Sequence, residues 1–163
     1  MGYYQNKALI AKELCEKGLP WVKVYAVVRD NDEFIVLTKE KDGKIEYMLA
    51  GGGVDKGESL EKAIKREVKE ELNMKIEVLG ELGVYDKLYV PWTYNGVTYN
   101  VQYEIHVLDT KVLKIKKGRL GLKGEFDKNT NIARIDEKTL LNNVVEFNSF
   151  GIKLNNNQTK KAN

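Results

Sequence analysis

Cysteine and histidine are the scarcest reactive residues in this chain, which carries only Cys15 and His106. A lone cysteine excludes an internal disulfide framework and a thiolate zinc cluster, and a lone histidine excludes a multi-histidine metal centre. His106 falls in an alternating strand-like run and reads as a satisfied strand histidine. Long apolar runs are also missing. No stretch approaches the roughly 20 residues of a membrane span, and the opening MGYYQNKALIAKEL lacks the apolar core of a signal peptide. The expectation is therefore a cytoplasmic protein with no membrane partner. Excess charge of one sign is lacking too: a net charge of +3 makes no case for a nucleic-acid partner by itself.

What is present is ordinary for a globular protein, with 42% hydrophobic and 31% charged residues in 163. The length suits one domain, expected over residues 1–154 with a helical segment at 1–20, followed by a polar, frayed tail at 155–163. No repeat or linker divides it. Residues 5–17 form a short amphipathic helix with Leu9, Ala11, Leu14 and Cys15 as candidate buried positions, stopped by Gly18 and Pro20. WVKVYAVVRD and EFIVLTKE read as a hairpin joined at Asp30-Asn31-Asp32, and KIEYMLA as a third strand running into glycines. Beyond a central helix, KIEVLGELGVYDKLYV and VTYNVQYEIHVLDT read as longer strands turned at Asn95-Gly96. VLKIKKGRLGLKGEFDKNTN reads as a loop and IARI as a last short strand. DEKTLLNNVVEF reads as a helix capped by Asp136. Strands on both sides of one helix, with frequent hairpin signals, indicate an α/β fold with a mixed sheet between helices.

The central helix carries the chemistry. At 100° per residue from Leu60, the residues Leu60, Ile64, Val68 and Leu72 span an arc of about 0° to 120°, a core-facing stripe. Lys62, Lys65 and Lys69 fall at about 140° to 200°, towards solvent. Glu67, Glu70 and Glu71 cluster at about 280° to 20°, beside the apolar edge. Their i, i+3, i+4 spacing brings three carboxylates within reach of one point. Such oxygen donors suit Mg²⁺ or Mn²⁺. Upstream, Gly51-Gly52-Gly53 and Gly57 let backbone approach a ligand closely. Ser59 is the expected helix cap, with Lys62 where a full capping box would have Glu.

Gly52, Glu58 and the run Arg66-Glu67-Val68-Lys69-Glu70-Glu71-Leu72-Asn73-Met74 resemble the Nudix box of the Nudix hydrolases over residues 52–74. The one departure is Asn73 in place of the late glycine, and asparagine is the next most tolerant residue for a left-handed helix end. The resemblance implies an α/β/α sandwich and hydrolysis of a nucleoside diphosphate linked to another moiety, with Mg²⁺ or Mn²⁺. It implies metal binding by Glu67, Glu70, Glu71 and the Gly52 carbonyl. Arg66 matches the arginine that orients a box glutamate, and Glu58 matches the early glutamate that supports the loop. It leaves the general base open among Glu67 or Glu71, Glu125 in the LKGEFDKN loop, and Glu104 on a strand.

The substrate is less legible. Tyr85, Tyr89, Trp92, Tyr94, Tyr99 and Tyr103 crowd the region after the box, and aromatics there either stack a nucleobase or pack the sheet. Tyr89 and Trp92, with Gly52 and Gly53, are the substrate-binding candidates. Lys114, Lys116, Lys117, Arg119 and Lys123 form a basic loop. The expected partner is a nucleotide-type small molecule. RNA 5′-end processing would use the basic loop as a phosphate track, and a homodimer is compatible with the chain. A nucleotide-binding sensor without catalysis is the competing class, but a sensor usually loses box carboxylates, and all are present here.

Overall fold

The computed structural model describes residues 2–116 and 130–154. In chain order its elements are α1 (Tyr3–Lys17), β1 (Trp21–Asp30), β2 (Glu33–Lys41), β3 (Lys44–Met48), β4 (Ala50–Gly53), α2 (Leu60–Leu72), β5 (Met74–Tyr94), β6 (Val97–Ile115), β7 (Thr130–Ile135), α3 (Glu137–Asn143) and α4 (Val145–Phe150). The strands build one mixed, seven-stranded sheet with the central order β3-β2-β1-β6-β5. β1 and β6 run parallel, and the other strand pairs are antiparallel.

Strand alternation sorts the core into two layers. Trp21 and Val27 of β1, Phe34 and Val36 of β2 and Val101 to Val107 at alternate positions of β6 meet Ala11 of α1, Leu140 of α3, Phe147 of α4 and Val144 between these last two helices. Val24, Ala26 and Val28 of β1 and Ile35 and Leu37 of β2 meet Ala63, Ile64, Val68 and Leu72 of α2. Helices therefore cover both faces of a mixed sheet, the expected α/β/α arrangement.

β1 is shared by three strands. Its first half, Lys23 to Ala26, pairs with β4, and its last residues, Val28 to Asp30, pair with β2. The opposite edge pairs with β6 from Trp21 to Arg29. The segment KIEYMLA is consequently broken at Leu49, where the chain leaves β2 for β1. The Leu49 amide meets no strand there and donates instead to Glu146 Oε1 at 2.9 Å.

Several boundaries differ from expectation. α1 begins at Tyr3, and it buries Ala8 and Ala11, with Leu14 and Cys15 only partly covered. β6 continues to Ile115, so VLKI belongs to the hairpin and not to a loop. The late helix is interrupted at Val144, whose extended backbone bridges to Tyr47 while its side chain is fully buried. The turn Asn95-Gly96 lies as expected between β5 and β6, with both residues left-handed. A second turn of that kind, Asp42-Gly43, joins β2 to β3 and was missed in the sequence.

Candidate active site

The glycine strand β4 delivers its backbone to the acidic edge of α2. The Gly51 N–H donates to Glu71 Oε1 at 2.8 Å. At Gly52 a Cβ would stand 2.7 Å from Glu67 Oε1 and 3.0 Å from its Oε2, so a side chain cannot fit without moving that carboxylate. The loop then enters α2 through Ser59, whose Oγ accepts from Lys62 N at 3.1 Å. α2 ends at Asn73 with φ 56° and ψ 46°, the left-handed geometry expected where the box has its late glycine.

Glu67 and Glu71 follow the apolar stripe of α2 into the protein and are 4% and 2% exposed, values that forbid reading them as surface decoration. Buried carboxylates need compensation; the Gly51 amide bonds Glu71, and Glu67 is served by Arg66. Its Nε and Nη2 donate to Glu58 Oε2 and Oε1, both at 2.8 Å, in a two-pronged pair. Its Nη1 donates to Glu67 Oε1 at 2.8 Å, and Nη2 also reaches the Gly53 carbonyl at 3.0 Å. Asp55 and Glu70 carboxylates lie at 3.6 Å. The bond to Glu58 is the strongest influence on this guanidinium and, with Glu67, outweighs burial to raise its pKa further. Glu58 also accepts from the Asp55 amide at 3.0 Å, which closes the loop on itself.

The donor set here is all oxygen: three carboxylates on α2 and the carbonyls of a glycine strand, the chemistry a hard divalent cation accepts. The close approach at Gly52 fits that use. Among the described residues, however, no three histidine, cysteine, aspartate or glutamate side chains converge into a ready-made cage. One oxygen of Glu67 is engaged by Arg66, and one of Glu71 by the Gly51 amide.

Beside this edge lies a cleft of ≈ 980 Å³, walled by Ile10 and Leu14 of α1, Trp21 and Val22 of β1, the loop from Gly53 to Ser59, and Glu67, Glu104 and His106. The sequence reading missed Trp21 and Lys23. Lys23 is nearly buried, with its Nζ 4.1 Å from the Trp21 ring centre and 5.1 Å from that of Tyr103. A lysine inside a β-branched run was the available signal. His106 is a satisfied strand histidine, as expected: its Nδ1 meets Glu81 Oε2 at 2.9 Å and its Nε2 meets Glu104 Oε2 at 2.8 Å. Burial opposes protonation of this imidazole, but the bonds to Glu104 and Glu81 outweigh it and raise the pKa.

The aromatic candidates lie elsewhere. Trp92 packs against Trp21, ring centres 5.6 Å apart, and its Nε1–H donates to the Tyr103 hydroxyl at 2.9 Å. Tyr89 is exposed on β5, and neither residue lines the cleft. Glu125, Lys117, Arg119 and Lys123 fall outside the described residues.

A family model described as the NUDIX domain matches residues 19–131, more than half of the chain. Nucleoside triphosphatase NudI of Salmonella agona (strain SL483) is 35% identical over 68 residues, covering 39% of this chain and 43% of that protein. NudI of Enterobacter sp. (strain 638) is 29% identical over 58 residues, covering 34% and 41%. The chain thus aligns with about two-fifths of the length of these curated relatives. A NUDIX hydrolase from Nitrosomonas europaea shares the fold at a TM-score of 0.54, with 23% identity over 76% of this chain and 77% of that one. With the glycine strand, the arginine hub and the acidic helix edge in one place, the chain belongs to the NUDIX domain family.

Proposed function

We propose that the protein is a metal-dependent pyrophosphohydrolase, cleaving the pyrophosphate bond of a nucleoside diphosphate linked to another moiety. The observation that carries this reading is the burial of Glu67 and Glu71 against the backbone of Gly51 and Gly52, at the rim of an open cleft. Burying two carboxylates beside a glycine strand has no evident benefit for packing. It makes sense as a site built to hold cationic charge next to a polyanionic substrate.

Members of this family generally use divalent metals. Glu67, Glu70, Glu71 and the Gly52 carbonyl would hold Mg²⁺ or Mn²⁺, which would supply neutralisation of phosphate charge and acidification of water. The chain's own residues do the rest. Arg66 keeps Glu67 against the glycine strand and shields it from Glu58. Glu58 ties the loop to α2, so the wall of the cleft and the acidic edge move as one piece. Lys23, lying near Gly53, places positive charge beneath the loop. The two relatives named as nucleoside triphosphatases support a nucleotide substrate, and the presence of every box carboxylate favours turnover over mere sensing.

The test is a substrate panel with Mg²⁺ and with Mn²⁺: nucleoside triphosphates, ADP-ribose, nucleotide sugars, diadenosine polyphosphates and capped RNA, with products separated by ion-pair chromatography. Cleavage at a P–O–P bridge that stops with excess chelator and returns with the cation is the expected result. Binding without turnover across the whole panel would instead make the protein a sensor.

A further inference from the structure

The bonding around His106 is not accounted for by the box. Glu104 and His106 stand two residues apart on β6 and therefore share the face that α2 covers. Glu81 of β5 pairs with Leu108, two residues beyond His106, so its side chain joins them on that face. Both ring nitrogens of His106 are consequently taken up by carboxylates, at 2.9 Å and 2.8 Å. The imidazole side chain is 14% exposed, whereas those of Glu104 and Glu81 are 37% and 41% exposed. The result is a covered imidazole gripping two carboxylates that water can reach, one of which lines the cleft together with Glu67.

We propose that His106, itself held by Glu81, is a positioning residue that fixes the Glu104 carboxylate on the cleft wall, and that Glu104 takes the proton of the attacking water. This rests on the pyrophosphohydrolase reading. An O–H bond of water breaks and its proton passes to a Glu104 oxygen. The water oxygen bonds to phosphorus, and the bridging P–O bond breaks with its electron pair leaving on the departing phosphate. His106 gains and loses nothing; it sets the direction in which Glu104 points. Glu67 and Glu71 are less suited to this step, because they are 4% and 2% exposed, whereas Glu104 is open to water on the cleft wall. The charged groups around the imidazole are Glu81 from β5, Glu104 from its own strand and Glu67 of α2 across the same cleft.

The test is a double-mutant cycle on the best substrate of the panel. Glu104→Gln should lower kcat by at least about a hundredfold with KM within about threefold, the range for loss of a general base. His106→Ala should lower kcat by about tenfold or more, again with little change in KM. The double variant should be no slower than Glu104→Gln alone, since a residue acting through another adds nothing once that other is gone. Glu81→Gln, a change at a half-exposed side chain, repeats the logic if His106→Ala does not fold: a threefold to tenfold loss that vanishes in the Glu104→Gln background. A readout without substrate or metal comes from NMR. His106 is the sole histidine, so its imidazole signals need no assignment, and its pKa should fall in Glu104→Gln and in Glu81→Gln. Losses that multiply in the double variant, a wild-type-like Glu104→Gln enzyme, or an imidazole pKa indifferent to Glu104 would each overturn the proposal. If the unaltered protein turns over nothing in the panel, the hydrolase reading fails first and this one falls with it.

Discussion

Replacing Gly52 by alanine puts a methyl group, a net gain of one carbon and two hydrogens, against the carboxylate of Glu67. The new Cβ would stand 2.7 Å, 2.9 Å and 3.0 Å from the Oε1, Cδ and Oε2 atoms of Glu67. Ordinary contact needs several tenths of an ångström more, so the carboxylate must retreat. Glu67 is buried and its Oε1 is gripped by Arg66 Nη1 at 2.8 Å. Retreat therefore strains or breaks a charge-assisted hydrogen bond, a loss of about 1.5–3 kcal/mol when such a bond goes completely. Arg66 keeps partial solvent access, which lowers the expected destabilisation to about 1–2 kcal/mol. Turnover should fall at least about tenfold, because displacement of a positioned group by a fraction of an ångström is costly in catalysis. The control is Gly43→Ala. Gly43 has φ +77° and nothing within 4 Å of its would-be Cβ, so alanine there costs about 1–2 kcal/mol in backbone strain without touching Glu67. Urea melts and initial rates on both variants separate the two effects: similar stability losses, but a fall in kcat for Gly52→Ala only. Wild-type turnover in Gly52→Ala would refute the idea that the strand holds Glu67 in its working position.

At the other end of α2, Asn73→Gly should change stability by about 1 kcal/mol or less and leave turnover alone, while Asn73→Val, forced to φ 56°, should unsettle Glu70 and Glu71 and lower both. Equal tolerance of Gly and Val would mean that the left-handed end is dispensable. Arg66→Met leaves Glu58 and Glu67 facing each other without their cation, and chemical denaturation should show a loss of about 2–4 kcal/mol, somewhat under the usual figure for a fully buried pair. A third position concerns pH. Burial pushes the Glu146 carboxyl up from 4.5 to about 7, against the opposing pull of the Leu49 N–H. The folded state therefore prefers the protonated form, so its benefit is complete below about 4.5 and is lost as pH rises to about 7. Glu146→Gln keeps an acceptor for Leu49 and should raise the melting temperature at pH 8 but not at pH 4.5, by at most about 3 kcal/mol in stability. An equal gain at both pH values would sink that account.

Local chemistry was the legible part of the fold. Ser59, Asn73, Asp136 and Asn95-Gly96 each announce their turn or cap through their own side chains or tolerance of positive φ, and the structure has all four in those roles. The apolar stripe of α2 was legible because its period is that of a helix. What failed was set by distant partners. Val144 breaks the late helix because the core accepts its side chain, a fact no neighbouring residue reports. The register shifts in β5, such as that between Glu81 and Gly83, interrupt the period of two on which reading a strand face depends. Within the site, the acidic edge of α2 was visible as spacing along one helix. The bonds of His106 to Glu81 and of Trp92 to Tyr103 join positions on different strands, so their sequence distance hid them. Trp92, a stacking candidate, packs on Trp21 and donates to Tyr103.

The division of β1 between two partners on one edge also bears on how the molecule breathes. A strand bonded to β4 and β2 on one side and to β6 on the other cannot be released by opening any single hairpin. Its amides between Val24 and Val28 should exchange with deuterium only through global unfolding, and so report the full stability of the protein. The loop from Val54 to Ser59 has few backbone bonds of its own and hangs on Arg66 through Glu58 and the Gly53 carbonyl. Its amides should exchange through a local opening gated by one guanidinium. A slow and a fast clock would then sit within a few residues of the same glycine strand, and a ligand that settles on that strand should slow the fast one without altering the slow one.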